Sequence, residues 1–548
     1  MGTAPFQFQP KHQDHKLLFA GWLGNGVVIQ DNSARTIDDA IIVGANTKYD
    51  TKTVRRNGSH FGKNVKFRDV EVDCHLIRSD LPSYHLVDLA ELWGYPFPNW
   101  KHLIDFKTAY WEDILTLQWY NRHDLASTKW IDDRTQPWIE KLGLRPLQNL
   151  MSDFIRVMTE MEAEGMQVDM EAHAAFIKGH QETLDAKKVE LKAYADIDWQ
   201  SNPQVGEYYA LQGIQLPRTG KDRDQVDKKA LLKLEHPSAK ILLDYRAAAK
   251  QSQTYGTGFL GVLVDGVYYP DYKLAGSSDG ESKAPVTGRM SEKFIQIMPR
   301  GGTSEFKKCI ISKFPEGILI SCDWMQLEIA LNAEIAYHVT GIRNLMDDLL
   351  SGADLHTETL KRFPVLPNRT RAKNVNFSVF FGGRGYTLTH EYGLSSQQAI
   401  EIRHDLLDVR YPEMGGYFDS CERQLLRQGF VVCPYTGKRR FTSSVTEAYN
   451  DKIQHLGTVF NKIMMVKTWD VLERAGFRAR PIAEIHDDIT YDCPKEEYEE
   501  LVPILKHEYS QISTYFKEYF GRNLVYPFKA DMKAGPNLFE QKKVEEVA

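Results

Sequence analysis

The chain has 548 residues, and 68 Lys plus Arg against 74 Asp plus Glu give a formal net charge of −6. Hydrophobic content of 42% and charged content of 26% exclude disordered, collagen-like and coiled-coil proteins and suit a globular chain of roughly three or four domains. No run of about 18 apolar residues exists to span a membrane, and the first residues, MGTAPFQFQPKHQDHK, lack an apolar signal core.

The six cysteines (Cys74, Cys309, Cys322, Cys421, Cys433 and Cys493) form no CxxC pair, so reduced thiols in a cytoplasmic protein are expected. A mildly acidic charge does not advertise nucleic-acid binding. It does not forbid it either, because phosphate contact needs only a local basic groove.

In chain order, residues 17–29 and 40–45 read as buried strands, the first run split by turn chemistry at Gly24-Asn25-Gly26. Helical patterns follow near 85–94 and 109–129. The stretch from Trp130 to Pro146, with Pro137 inside it, is the expected boundary of a first α/β domain. Residues 147–195 and 226–256 read as charged helices, the 258–322 segment as β-type, and 329–350, 369–393 and 396–429 as helices. A second β-type region starts near Val431, a long helix covers about 446–475, and PIAEIHDDITYDCP reads as a hairpin.

Asp323 ends a largely apolar run from Gly317, and Asp487-Asp488 interrupt the apolar frame from Ile482 to Ile489. A buried carboxylate without a partner costs several kcal/mol, so such residues have a cation or donor beside them. Strand-end aspartates from distant positions could share Mg²⁺, which prefers oxygen ligands. Each alone reads more readily as a structural turn or capping group.

Between them, LPNRTRAKNVNFSVFFGGRG places a helix start at Pro367-Asn368, with Asn368 as N-cap. Arg369, Lys373, Phe377 and Phe381 recur every four residues, so two cations and two rings share one drifting stripe. The cations lie at the helix N-terminus, where anions are favoured. A triphosphate there, with its sugar and base on Phe377, fits the stripe. So does an amphipathic core helix with surface cations.

Taken together these segments resemble the family A, DNA polymerase I-like, enzymes. Asp323-Trp324-Met325-Gln326-Leu327-Glu328 resembles the first palm motif, and Arg369, Lys373, Phe377 and Phe381-Gly382 the fingers-helix motif. His486-Asp487-Asp488 resembles the second palm motif, usually His-Asp-Glu. Thr287-Gly288-Arg289 with Gln296 and Pro299 is similar to the primer-contacting stretch, Leu355-His356-Thr357-Glu358-Thr359 to the His-bearing fingers segment, and AGPNLFE to the C-terminal signature. Departures are Met325 and Ala330 in the first palm motif, Phe381 for Tyr, Asp488 for Glu, Ile297 for Asn and Leu456 for Gln.

The resemblance implies an α/β multidomain right hand. The expected bounds are thumb 145–265, palm 266–338 and 426–548, and fingers 339–425, after a partial RNase H-like domain at 1–132. It implies template-directed DNA synthesis from dNTPs on primer-template DNA. Two Mg²⁺ ions, or Mn²⁺ in their place, would be held by Asp323, Asp487 and Asp488. Lys373, Arg369 and His356 would clamp the triphosphate, and Lys373 would protonate the pyrophosphate. Glu328 and Gln326 would line the sugar site, with Glu328 excluding a ribose hydroxyl. Phe377 and Phe381 would meet the sugar and base, and Arg289, Thr287, Gln296 and His486 the primer and template.

Asn46-Thr47-Lys48-Tyr49-Asp50 and Tyr120-Asn121-Arg122-His123-Asp124 resemble the second and third motifs of 3′–5′ proofreading exonucleases. The first motif, Asp-x-Glu, has no counterpart upstream, since Glu71 is the first glutamate. An exonuclease site around Asn46, Asp50, Tyr120 and Asp124 is therefore expected to be incomplete and inactive alone, or completed by a separately encoded fragment. A compact phage-type replicative enzyme in a host cytoplasm is the expected setting, with other replication proteins as partners. The competing readings are a single-subunit RNA polymerase-like enzyme, which Glu328 argues against, and a non-catalytic DNA-binding replication scaffold, which Asp323 and Asp487 argue against.

Overall fold

The computed structural model describes residues 20–24, 27–31, 33–97, 100, 114–218, 223–275, 286–296, 298, 305–485 and 487–544. His486, Ile297 and Pro299 lie outside them.

The N-terminal unit opens with an antiparallel hairpin, Ala20–Gly24 against Val27–Asp31, as the glycine turn predicts. Strands β1 (Ile41–Gly44) and β2 (Lys66–Asp69) then pair in parallel, Ile41 opposite Lys66. Parallel neighbours need a crossover, and helix α1 (Thr47–Arg56) supplies it. Asn46 turns the chain into α1 with φ 55°, a left-handed conformation that Asn tolerates better than most residues.

The chain breaks inside the expected Trp130–Pro146 stretch, but only near its end. Helix α2 (Ile114–Lys141) fills most of the stretch with Pro137 inside. Ile131, Thr135 and Ile139 are fully buried, and that packing outweighs the backbone hydrogen bond that Pro137 cannot donate. The break falls at Leu142–Leu144, where Gly143 has φ 68°. Pro146 opens the next helix, α3 (Arg145–Glu164), where its missing N–H costs nothing.

Leu147, Leu150, Phe154, Val157, Met158 and Met161 form a buried helical stripe along α3. Helices α4 (Met170–Lys192) and α5 (Pro237–Lys250) pack together, with only His173, Phe176 and Leu191 of α4 buried. Residues 258–322 are less β-like than their composition suggests. Among the described residues from 258 to the start of the main sheet, Val267–Tyr268 and Ile310–Ile311 are the only strands. The apolar side chains of Phe259, Tyr268, Phe294 and Phe306 instead form a cluster of rings.

The main sheet begins with β3 (Ile318–Trp324) and continues after α6 (Leu327–Thr340) and the helical region. There, the helix expected over 329–350 is α6 plus Asn344–Ser351, separated at Gly341 (φ 76°). Helix α7 (Leu355–Arg362) precedes α8 (Arg369–Phe380). The expected 369–393 helix breaks after Phe380, because Gly382 takes φ 80° and a Cβ there would lie 2.4 Å from the Tyr449 ring. The 396–429 helix likewise divides into Ser396–His404, a π-helical turn at Asp405–Arg410, and Pro412–Gln428.

Helix α9 (Val445–Arg474) packs on α3 and α6 beneath the sheet. Its start is capped by Ser444, whose hydroxyl accepts from Glu447 N–H. The expected hairpin is β4 (Arg480–Ile485) and β5 (Asp488–Cys493), and the sheet closes with β6 (Ala530–Gly535) and β7 (Lys542–Lys543). Strand order is β4-β5-β3-β6-β7. Ile320, Cys322, Ile489 and Tyr491 are fully buried in it.

Candidate active site

The antiparallel register of β3 and β5 sets Asp323 directly opposite Asp488, and β6 sets Asp531 on the other side of Asp323. Asp323 is exposed although its strand is buried. Asp488 Oδ1 is sealed from solvent and has no hydrogen-bond partner. Burial and the facing Asp323 push the Asp488 carboxyl up to about 7, against the pull of Lys533 and Lys307. Asp487, in the β4–β5 turn, faces Arg289, whose Nη2 lies 3.4 Å from Oδ1.

Two carboxylates held face to face with an unpartnered buried oxygen fit a divalent cation. Among the described residues no three His, Cys, Asp or Glu side chains form a ready-made metal cage. A hard ion that takes one or two carboxylates and completes its shell with substrate phosphates and water matches that arrangement.

Gln326, between β3 and α6, has φ 52°, a left-handed conformation outside glycine. Such strain is held by its surroundings and concentrates at functional sites. Met325 N–H donates to Lys529 O at 2.9 Å, fixing the backbone just before it. Glu328 lies in the first turn of α6.

On the helical side, Asn368 caps α8 through Arg371 N–H at 2.9 Å, as expected. The predicted stripe is real. Lys373 Nζ lies 5.7 Å from the Phe377 ring, Phe377 and Phe381 stack at 5.9 Å, and the His356 ring sits 5.8 Å from Phe377. Burial and the nearby Arg369 lower the His356 pKa. The Arg369 guanidinium makes a two-point ion pair with Asp354 at 2.7 and 3.1 Å. Asn450 Nδ2 donates to Phe381 O at 3.1 Å, tying the end of α8 to α9.

Several residues about this site were not singled out from sequence. Trp324 Nε1 donates to Asn461 Oδ1 at 2.8 Å, and Asn461 Nδ2 to Glu484 Oε1 at 3.0 Å. Gln296 Nε2 donates to Glu484 O at 2.9 Å. Thr287 Oγ1 is 3.5 Å from Arg289 N. No spacing rule could have found Asn461 or Glu484, whose partners are distant in sequence.

In the N-terminal unit, Asp50, Asp124 and Tyr120 are all buried. Burial, with Asp124 and Asp69 nearby, pushes the Asp50 carboxyl well up, and its Oδ2 has no partner. Trp100 Nε1 donates to Asp124 at 2.8 Å. Asp69, missed from sequence, accepts from Thr47, Glu71 and Val72 N–H groups. Its signal was a strand-end Asp before a helical run. Lys48, inside the Asn46–Asp50 motif, is buried against Glu162, Asp271 and the Tyr272 carbonyl, docking α1 on α3.

The sequence model of DNA polymerase family A matches residues 169–540. The chain belongs to DNA polymerase family A. It is 24% identical over 424 residues to DNA polymerase I of Caldicellulosiruptor bescii, covering 72% of this chain and 47% of that one. It is also 24% identical over 536 residues to DNA polymerase I of Streptococcus pneumoniae, covering 90% and 58%. The chain thus spans about half the length of these curated relatives. Its fold is similar to that of the polymerase domain of Pol1 from M. smegmatis, solved with DNA primer-template and dNTP. That match has TM-score 0.74 and 18% identity over 90% of this chain and 85% of the other. The α/β fold described here is therefore a family A polymerase fold. Among the described residues no helix is long and apolar enough to cross a membrane.

Proposed function

We propose that the chain is a template-directed DNA polymerase that joins dNTPs to a primer 3′-hydroxyl. The observation that carries this reading is the facing pair Asp323 and Asp488, with Asp487 beside Arg289, in a family A chain. The primer 3′-oxygen attacks the α-phosphorus. The new O3′–P bond forms as the bond to the bridging oxygen breaks, and pyrophosphate leaves.

Asp323, Asp487 and Asp488 would hold Mg²⁺, with Mn²⁺ as a substitute. Bound there, the metal supplies charge neutralisation and a lowered pKa for the attacking hydroxyl. Lys373, beside Phe377, meets the triphosphate and gives its proton to the leaving pyrophosphate. His356 and, once released from Asp354, Arg369 bind phosphate oxygens. Phe377 and Phe381 offer a stacked apolar surface to sugar and base. Glu328 and Gln326 close the sugar site, and Arg289, Thr287, Gln296 and His486 line the primer and template.

On this reading 145–265 is the thumb, 266–338 with 426–548 the palm, and 339–425 the fingers. The N-terminal 1–132 unit is exonuclease-like and serves as support, inactive alone or completed by a separate fragment. Its sealed carboxylates and the docking role of Lys48 favour support. The setting proposed is phage-type replication in a host cytoplasm, alongside other replication proteins.

Primer extension tests the activity. A matched primer should extend with dNTPs and Mg²⁺ but not with ribonucleotides, and an Asp487→Ala chain should not extend it. Equal use of ribonucleotides would overturn the DNA assignment.

A further inference from the structure

Three consecutive backbone carbonyls just before Arg289 are each held by a different buried side chain. Lys438 Nζ donates to Val286 O, His455 Nδ1 lies 3.3 Å from Thr287 O, and Lys462 Nζ donates to Gly288 O at 2.6 Å. All three side chains are buried, at 2%, 3% and 5% exposure. They come from the loop before β-type residues 439–441 and from α9, which are distant in sequence from the segment they grip.

The carbonyls need partners, because none of the three residues belongs to a described strand or helix. Polar side chains could serve without charge, so burying two ammonium groups here is costly unless their position matters. Each is also balanced. Asp451 lies beside Lys438 and Glu484 beside Lys462. Burial pushes Lys462 down and Glu484 up.

His455 is neutral, since burial with Lys438 and Lys462 alongside holds it well below the usual histidine range. A carbonyl only accepts, so Nδ1 carries the proton, and Nε2 accepts from Thr436 Oγ1 at 2.9 Å. Glu484 extends the grip to the far end of the segment, accepting from Gln296 Nε2 at 3.2 Å.

The segment so held turns at Gly288 (φ 83°) and delivers Arg289 to Asp487. Arg289 Nε is buried and without a partner, a donor left for a ligand. We propose that Lys438, His455 and Lys462 are positioning residues that lock the 286–288 backbone and thereby aim Arg289 at the primer terminus beside Asp487. The inference rests on the polymerase reading above.

The test is a double-mutant cycle on single-turnover nucleotide incorporation with Arg289→Ala, Lys462→Met and the pair. Lys462→Met should lower the rate about tenfold, as a small misplacement of a positioned group does. The dNTP concentration for half-maximal rate should stay within about twofold, because the defect lies at the primer rather than the triphosphate. The pair should be no worse than Arg289→Ala alone to within about twofold, because coupled residues are not additive. Lys462→Arg, which keeps a donor, should recover most of the rate. Full multiplication of the two defects, or an undiminished Lys462→Met rate, would overturn the proposal. Should Lys462→Met fail to melt cooperatively, Lys438→Met and Lys438→Arg enter the same cycle under the same criteria. An inert wild type would overturn the polymerase reading itself, whereas an active wild type with additive variants overturns only this inference.

Discussion

Two groups of aspartates in this molecule look alike in sequence and differ in surroundings. In the N-terminal unit, Asp69 is consumed by backbone N–H groups, Asp124 by Trp100, and Asp50 is sealed with a raised pKa. In the main sheet, Asp323 is exposed, Asp488 faces it across the ladder, and the cations Arg289, Lys307 and Lys533 stand nearby. A carboxylate group becomes a reaction centre when solvent, substrate and counter-charges can reach it. On the proposed reading, the same residues closed over by a tryptophan and caps serve as structure.

The sharpest way to break the comparison is to exchange damage between the two groups. Asp487→Ala should lower primer extension by about 10³-fold, in line with loss of a principal charge-stabilising group. Asp124→Asn should leave extension within about twofold. Comparable losses would mean that the N-terminal carboxylates also serve synthesis.

Next in size is the cationic stripe of α8. Lys373→Ala should cost about 10²-fold in single-turnover rate, the scale of a lost general acid or charge donor. Arg369→Ala should cost only about fivefold, because its guanidinium is exposed and already paired with Asp354. Dividing the effect into rate and apparent dNTP affinity, from incorporation measured across dNTP concentrations, checks both. A larger loss for Arg369 would contradict the proposed order.

The smallest effect is on stability. Burial raises the Asp73 carboxyl to about 7, while Gln148 and Gln136 donate to it. The folded protein therefore keeps a proton that the unfolded chain releases above pH ~4. Stability should fall as pH rises from about 4 to 7 and level off beyond. Asp73→Asn should make that slope shallower and raise the melting temperature at pH 8 by roughly 1–3 °C. Melting curves at pH 5 and pH 8 read it directly, and an unchanged slope would show that Asp73 is not the group responsible.

Much of this was legible in the sequence because it is local. The Asn368 cap, the fourfold repeat from Arg369 to Phe381, the 445–474 helix and the hairpin around Asp487 each depend on neighbours in the chain. What was hidden depends on tertiary packing. Pro137 reads as a helix breaker until Ile131 and Ile139 are seen buried on either side of it. The aromatic residues of 258–322 read as strands but pack as a ring cluster. Lys438, His455 and Lys462 carry no pattern, since the carbonyls they hold are more than 150 residues away.

The most direct measurement uses a 5′-labelled primer, matched or mismatched at its 3′ end, on a template with Mg²⁺, with and without dNTPs. The account predicts that the matched primer extends, that neither primer shortens without dNTPs, and that Asp487→Ala abolishes extension. Shortening of the mismatched primer that Asp124→Asn removes would contradict it, showing that the closed carboxylates of the N-terminal unit are a working nuclease site.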